Sequence, residues 1–143
     1  MNIRMIQNLR AAFEEGTLKT DEGTLKLDQR QPFPLWSEED NCYFGCVAVF
    51  AVFMDKGSLK KMKAKHGSFL REATSLLGLS PREARRLFMS DLSCFEDGSP
   101  VGKVTPKQVV AVLDNLLTTG EVSWGTMIDA ALDEAELKEA RDA

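Results

Sequence analysis

The sequence predicts a mainly α protein: a compact, single-domain helical bundle of six to seven helices with one small β-hairpin near residues 17–27. Three observations favour this fold class. Apolar residues recur at helical spacing along most of the chain, capping residues precede several of these stretches, and strands do not alternate with helices. At 143 residues the chain, 1–143, has the length of one domain and can bury a core without disulfides or metals.

The N-terminal third is expected to hold a helix, the hairpin and an extended segment. An apolar stripe predicts a helix over residues 2–14 that ends at Gly16. The tetrapeptide GTLK occurs twice around an Asp-Glu-Gly turn, which favours two short paired strands. The prolines of RQPFPLW predict extended chain over residues 30–36.

A central buried helix is predicted from Ser37 to Gly57. Ser37 is followed by three acidic residues, a pattern typical of a capped helix start. Residues 42–54 are apolar nearly all round, so we expect this helix to lie inside the core, with Cys42 in its first turn. Gly45 would then mark a place where another element approaches closely.

Further helices are predicted along the rest of the chain. The basic residues 58–65 favour a short exposed helix, and residues 69–77 favour another that is closed by Gly78. Two more helices begin with capping boxes and a proline in the first turn: Ser80, Pro81 and Glu83 in one, Thr105, Pro106 and Gln108 in the other. A last helix starts at about Ser123, and its acidic tail, residues 134–143, is expected to fray.

Charge is segregated along the chain, although the net charge is only −4. Residues 56–86 carry nine basic and two acidic side chains, whereas residues 87–143 carry four basic and eleven acidic ones. Residues 1–55 are also net negative, with five basic and nine acidic side chains. A positive centre between negative ends can bind a nucleic acid or an acidic protein face. The alternative, in which acidic ends fold back over the basic centre and neutralise it, stays open at this point.

Two candidate contact surfaces follow from this segregation. The basic band comprises Lys60, Lys61, Lys63, Lys65, Arg82, Arg85 and Arg86. The acidic face of the last helix comprises Asp133, Glu134, Glu136 and Glu139. They favour opposite partners, because an acidic helix can imitate a phosphate backbone and occlude a nucleic-acid site.

The cysteines could be catalytic residues, metal ligands or packing residues of the core. Cys42 at a helix start resembles the nucleophile of papain-like hydrolases, but the only histidine is His66 and the three acidic residues before Cys42 oppose a thiolate. Cys42, Cys46, Cys94 and His66 are candidate zinc ligands without a supporting motif. We therefore predict no catalytic residue, no metal and no cofactor, with a Cys42-dependent hydrolase as a remote alternative.

Residues 80–124 can also be interpreted as a winged-helix-like DNA-binding regulator. The helix in LSPREARRLF would lead to a recognition helix in TPKQVVAVLDNLL, and TTGEV would begin a wing. Phosphates would be approached by Arg82, Arg85, Arg86, Lys103 and Lys107. Asp114 and Glu121 would oppose a polyanion, so DNA binding is the alternative interpretation.

The succession EDNCYFGCVAVFAVFMD, LLGLSPREARRLF, an Asp-Gly loop and VTPKQVVAVLDNLL resembles a diffuse group of small phage and prophage proteins with a CxxG-type central helix. The resemblance covers residues 40–117, with Gly45 as its glycine. The GTLK hairpin and the acidic last helix depart from the pattern. The resemblance implies a phage accessory protein that works inside a bacterial cell by binding and blocking a host machine.

The predicted function is therefore that of a non-enzymatic, cytoplasmic protein that binds a host protein or nucleoprotein and modulates or inhibits it. Nucleic acid is a second candidate partner. Membrane contact is not predicted, because no apolar run is long enough to span a bilayer and the amphipathic start is unlike a signal peptide.

Overall fold

The computed structural model describes residues 1–20, 23–29, 31, 34–57, 69–88 and 104–142. The six helices in this part of the chain are α1 (Ile3–Glu15), α2 (Val47–Lys56), α3 (Phe69–Leu77), α4 (Pro81–Phe88), α5 (Pro106–Thr119) and α6 (Thr126–Asp142). The four strands are β1 (Thr17–Thr20), β2 (Gly23–Leu27), β3 (Leu35–Ser37) and β4 (Cys42–Gly45). The helix predicted over residues 58–65 lies outside the described residues.

The prediction of a helical bundle with a single hairpin is wrong, because the hairpin is only half of a four-stranded sheet. The strand order is β1-β2-β4-β3. Strands β1 and β2 form the predicted antiparallel hairpin, β4 pairs parallel to β2, and β3 pairs antiparallel to β4. Tyr43 of β4 lies between Leu25 of β2 and Trp36 of β3. The protein is therefore a mixed α/β fold.

The stretch predicted as the start of the central helix folds as a turn and a strand. The Ser37 hydroxyl accepts a hydrogen bond from the Asp40 amide at 3.2 Å, as an N-cap residue would. Asn41 then adopts a left-handed φ of 52°, which an α-helix does not accommodate. Strand β4 follows, and helix α2 begins only at Val47.

Helix α2 is nevertheless the buried helix that the sequence predicts. Every residue from Val47 to Phe53 is buried. The ring of Phe50 stacks on Phe13 of α1, with ring centroids 4.4 Å apart. The helix ends as predicted at Gly57, which adopts a left-handed φ of 73°. Helix α2 thus connects the sheet to the surrounding helices through one shared core.

Helices α1 and α5 pack lengthwise on each other at the side of this core. Their buried faces include Leu9 and Phe13 of α1 and Val112 and Leu116 of α5. Arg10 of α1 forms an ion pair with Asp114 of α5 at the edge of this contact. The predicted capping box of α5 is present, with both of its hydrogen bonds formed.

Candidate binding site on helix α4

Helix α4 carries the three arginines of the basic band that the structure describes. Its predicted capping box is present: the Glu83 carboxylate accepts from the Ser80 amide at 2.8 Å, and the Glu83 amide donates to the Ser80 hydroxyl at 3.1 Å. The backbone hydrogen bond from Ser80 lowers the pKa of Glu83, and a side-chain hydrogen bond to Ser80 adds to it. This cap fixes where the helix starts and so which side chains share each flank.

The first flank of α4 is covered by the acidic helix α6. The Arg86 guanidinium donates to Asp133 at 2.9 Å and to Glu136 at 3.2 Å. Arg82, one turn earlier, lies 3.5 Å from the Glu136 carboxylate. The predicted basic and acidic surfaces therefore meet each other at this flank, as in the fold-back alternative.

Arg86 is anchored more firmly than Arg82. Its side chain is only 10% exposed, against 65% for Arg82. Burial acts to lower the pKa of Arg86, but its hydrogen bonds to Asp133 and Glu136 outweigh this effect and raise the pKa. The Arg86 carbonyl also accepts from the Trp124 indole N–H at 2.8 Å. Arg86 is thus a structural link to α6.

We expect replacement of Arg86 by methionine to weaken the attachment of α6. The charged hydrogen bonds would be lost and the carboxylates of Asp133 and Glu136 would face each other unneutralised, which should cost about 1–3 kcal/mol. Amide hydrogen exchange of α6 relative to α5 measures this directly. Arg82→Met is the matched control and should cost less than about 1 kcal/mol. Equal exchange in the two variants would contradict the anchoring role.

The second flank of α4 borders an open groove shared with helix α3. The groove has a volume of about 480 Å³. Its lining is mostly apolar and includes Leu70, Leu79, Ala84 and Phe88. The last three are buried in the core, so the groove is a depression in a packed surface that holds its shape without a ligand.

Arginine is the only charged residue type among the described residues that line this groove. Arg85 contributes from α4 and is half-buried, while Arg71 contributes from α3 and is exposed. Arg85 belongs to the predicted basic band, whereas Arg71 does not. The apolar spacing of LSPREARRLF could have indicated Ala84 and Phe88, but nothing local indicates that α3 supplies the opposite wall.

Asn2 contacts the end of α3, next to Gly78 of the groove. Its backbone N–H donates to the Leu77 carbonyl at 2.8 Å and its side-chain amide donates to the Leu76 carbonyl at 3.1 Å. The same side chain accepts from the Met5 amide and so caps α1. Gly78 lies beneath this contact, with the Met1 backbone within 3.2 Å of where its Cβ would be. The carbonyls that end α3 are therefore already hydrogen-bonded.

Other predicted surface residues are placed as follows. Lys60, Lys61, Lys63 and Lys65 lie outside the described residues, as do Lys103 and the loop at Asp97. Glu134 is exposed on α6. Helix α6 continues to Asp142, through the tail that is predicted to fray. The side chain of Glu139 is not among those that the structure describes.

The region predicted as a winged helix contains α4 and α5, and the described residues that follow α5 form no strand. Residues 121–125 are irregular and lead directly into α6. The candidate recognition helix α5 packs along α1, and its Asp114 is paired with Arg10. Lys107 is exposed at the start of α5. The described geometry therefore supports DNA binding by residues 80–124 less well than it supports binding in the groove between α3 and α4.

Both described cysteines are packing residues. Cys42 and Cys46 are each 2% exposed and neither forms a disulfide. Cys46 is the residue before helix α2, where the dipole favours a thiolate. Burial dominates over this effect and over the nearby backbone amides, which also favour the thiolate, and raises the pKa of Cys46 to about 11. Its thiol is therefore protonated at neutral pH.

This shift predicts a loss of stability at alkaline pH. The unfolded thiol ionises near pH 9.0, whereas the folded thiol does so only near 11. The contribution of Cys46 is thus fully present below pH 9.0 and is lost as the pH rises to about 11, at about 1.4 kcal/mol per pH unit. Urea unfolding of the native chain and of Cys46→Ala across this range measures it, and parallel pH profiles would contradict it.

The described residues contain no group of three or more His, Cys, Asp or Glu side chains arranged to hold a metal ion. Cys94 and His66, two of the four candidate zinc ligands, fall outside that part of the chain. None of the helices in the described residues is both long and apolar enough to cross a membrane. Comparisons with protein-family models, with curated proteins and with solved structures gave no match to this chain.

Proposed function

We propose that the protein acts by binding another macromolecule in the groove between α3 and α4, without catalytic chemistry or a cofactor. The observation that carries this proposal is the groove itself, a preformed and mostly apolar depression that also presents two arginines. An apolar depression of this size open to solvent is typical of a binding surface.

The partner that we propose is a host protein or nucleoprotein in the bacterial cytoplasm, which the bound protein modulates or inhibits. This part of the proposal rests on the resemblance of residues 40–117 to small phage and prophage proteins. Of the basic-band residues that the structure describes, Arg85 is the one that lines the groove. Arg82 and Arg86 are already paired with α6, so their contribution to a partner would require α6 to move.

A pull-down that compares two tryptophan variants tests the proposal. Ser75 is exposed and lines the groove, so Ser75→Trp should fill the groove without entering the core. Ala111→Trp on α5 is the matched control, since Ala111 is also an exposed helical residue. Tagged versions of the native chain and of both variants are incubated with bacterial lysate, with and without nuclease treatment. Bound proteins are identified by mass spectrometry.

The proposal predicts a stoichiometric protein partner that binds the native chain and Ala111→Trp but not Ser75→Trp. A partner retained equally by all three would place the contact elsewhere. Recovery of nucleic acid alone, or of proteins that disappear after nuclease treatment, would instead favour the DNA-binding regulator.

A further inference from the structure

We propose that the second half of α6, residues 133–142, is a releasable strap that covers Arg82 and Arg86 of α4. The carboxylates of the strap hold these two arginines within the chain, and an acidic face of a partner protein displaces the strap by competing for them. The covered site lies on the first flank of α4. It therefore goes beyond the proposed function, which concerns the groove on the second flank.

The first half of α6 is fixed to the rest of the protein. Ile128 and Leu132 are buried in the core, at 6% and 2% exposure. The Asp129 carboxylate accepts from the Trp124 amide at 2.8 Å and from the Ser123 hydroxyl at 2.7 Å. These contacts tie the start of the helix to the segment before it, so the first half of α6 stays in place when the strap is released.

The strap is held through charge. Among its side chains that the structure describes, none is buried, and Leu137 exposes 59% of its surface. Asp133 and Glu136 accept hydrogen bonds from Arg86 at 2.9 and 3.2 Å. Glu136 also lies 3.5 Å from Arg82, whose side chain is 65% exposed. Salt reaches such partly exposed pairs, so the attachment of the strap should weaken as the ionic strength rises.

The arginines beneath the strap belong to a helix that is held independently of it. Arg82 and Arg86 are one turn apart and share a flank of α4. The Trp124 indole donates to the Arg86 carbonyl at 2.8 Å. The Gln29 side chain donates to the Leu87 carbonyl at 3.2 Å. Release of the strap would therefore uncover an arginine pair of unchanged spacing, which can bind the carboxylates of a partner as it binds those of the strap.

Modification of arginine by phenylglyoxal, read by mass spectrometry on the full chain, measures how far the strap covers Arg86. The Arg86 side chain is 10% exposed in the closed structure. Arg4 is exposed on α1 and serves as the internal standard. Raising sodium chloride from about 50 mM to about 500 mM should increase the modification of Arg86 relative to Arg4 by about two- to fivefold, because the ion pairs are screened.

Removing the charge of the strap should have the same effect without added salt. Asp133→Asn combined with Glu136→Gln keeps the side-chain sizes and should raise the modification of Arg86 by about tenfold. Glu134→Gln is the matched control on an exposed acid of the same helix and should stay within about twofold of the native chain. Amide hydrogen exchange in the double variant should accelerate over residues 134–138 but not over α5, which distinguishes release from unfolding.

Two synthetic peptides test displacement by an acidic partner. The first is a helical peptide with pairs of glutamates three residues apart, the spacing of Asp133 and Glu136. In the second, glutamine replaces every glutamate. The glutamate peptide in excess should accelerate amide exchange of the strap by about two- to fivefold. Arg86 should stay protected from phenylglyoxal, because the peptide takes the place of the strap. The glutamine peptide should change neither.

Three outcomes would overturn the inference. Modification of Arg86 that responds neither to salt nor to the double variant would show that the strap is not releasable. Acceleration of exchange that extends to α5 would show unfolding of the protein in place of release. Equal effects of the two peptides, or no effect of either, would remove the acidic partner. The groove is tested separately by Ser75→Trp, so each of these outcomes leaves the proposed function standing.

Discussion

Replacing Gln29 by methionine should lower the free energy of unfolding by about 2–4 kcal/mol, because two buried backbone groups would lose their partner. Gln29 is only 2% exposed. Its side-chain oxygen accepts from the Val47 amide at 2.8 Å, and its side-chain nitrogen donates to the Leu87 carbonyl at 3.2 Å. Methionine has a similar length and is apolar, so it would leave both groups unsatisfied without opening a large cavity.

The two hydrogen bonds of Gln29 explain why its replacement should be so destabilising. Cys46, the residue before helix α2, provides no side-chain hydrogen bond to that helix. Gln29 instead caps helix α2 by accepting from the Val47 amide. Its side-chain nitrogen also donates to the Leu87 carbonyl near the end of α4, so the same residue links α2 to α4. The loss should therefore appear in both helices, as faster amide exchange at Val47 and throughout α4.

Urea unfolding of Gln29→Met, with Gln7→Met on the exposed side of α1 as the control, measures the effect. Gln7→Met should unfold within about 0.5 kcal/mol of the native chain, as expected of an exposed substitution. A Gln29→Met variant that unfolds at the native midpoint would show that the two hydrogen bonds contribute nothing net.

Substitution of Gly45 by alanine is the second large effect that we expect, a loss of about 1–3 kcal/mol or more. A Cβ at this position would lie 2.6 Å from Val49 Cγ1 and 2.8 Å from Val49 Cβ. Val49 is fully buried in the first turn of α2 and cannot move away without displacing the core. The glycine is thus required by close approach, as the sequence predicts, but the approaching residue belongs to the helix that follows it.

A double-mutant cycle with Val49→Ala isolates this contact. In the native chain Val49→Ala should be destabilising, because it removes buried methyl groups. In the Gly45→Ala background the same change should cost less, because it removes the 2.6 Å approach to Cγ1, whereas the 2.8 Å approach to the retained Cβ persists. Additive free energies in the cycle would show that Val49 is not what excludes the new methyl group.

Much of the local structure was predictable because it depends on neighbouring residues. The hydrogen bonds of the capping boxes at Ser80 and Thr105 join residues three positions apart, so the sequence contains both partners of each. Likewise, Gly16 and Gly120 end their helices in the left-handed conformation that glycine favours.

The sheet was missed because its pairing is not local. Ser37 does form the hydrogen bond of a helix cap. Because Asn41 has a left-handed φ, however, the chain leaves this first turn and does not continue as a helix. Residues 42–45 are apolar enough for a buried helix or a buried strand, and only their pairing with β2 and β3 decides between the two. Periodicity over such a short run does not separate these structures.

The candidate site was predictable in its charges but not in its geometry. The segregation of charge identified both Arg86 and the acidic residues of the last helix, but not that Arg86 pairs with Asp133, 47 positions away. Arg71 and the apolar lining of the groove become a site only through the packing of α3 against α4. Gln29 carries no sequence signal at all, since a polar residue after a strand is common in loops.

Photo-crosslinking from the groove tests the central claim most directly. A benzophenone amino acid is placed at Ser75 in the groove or, as the control, at Ala111 on α5, and the protein is irradiated in bacterial lysate. We expect a discrete protein adduct from position 75 that is absent from position 111. Adducts of equal yield from both positions, or a specific adduct only from position 111, would contradict the groove as the binding site.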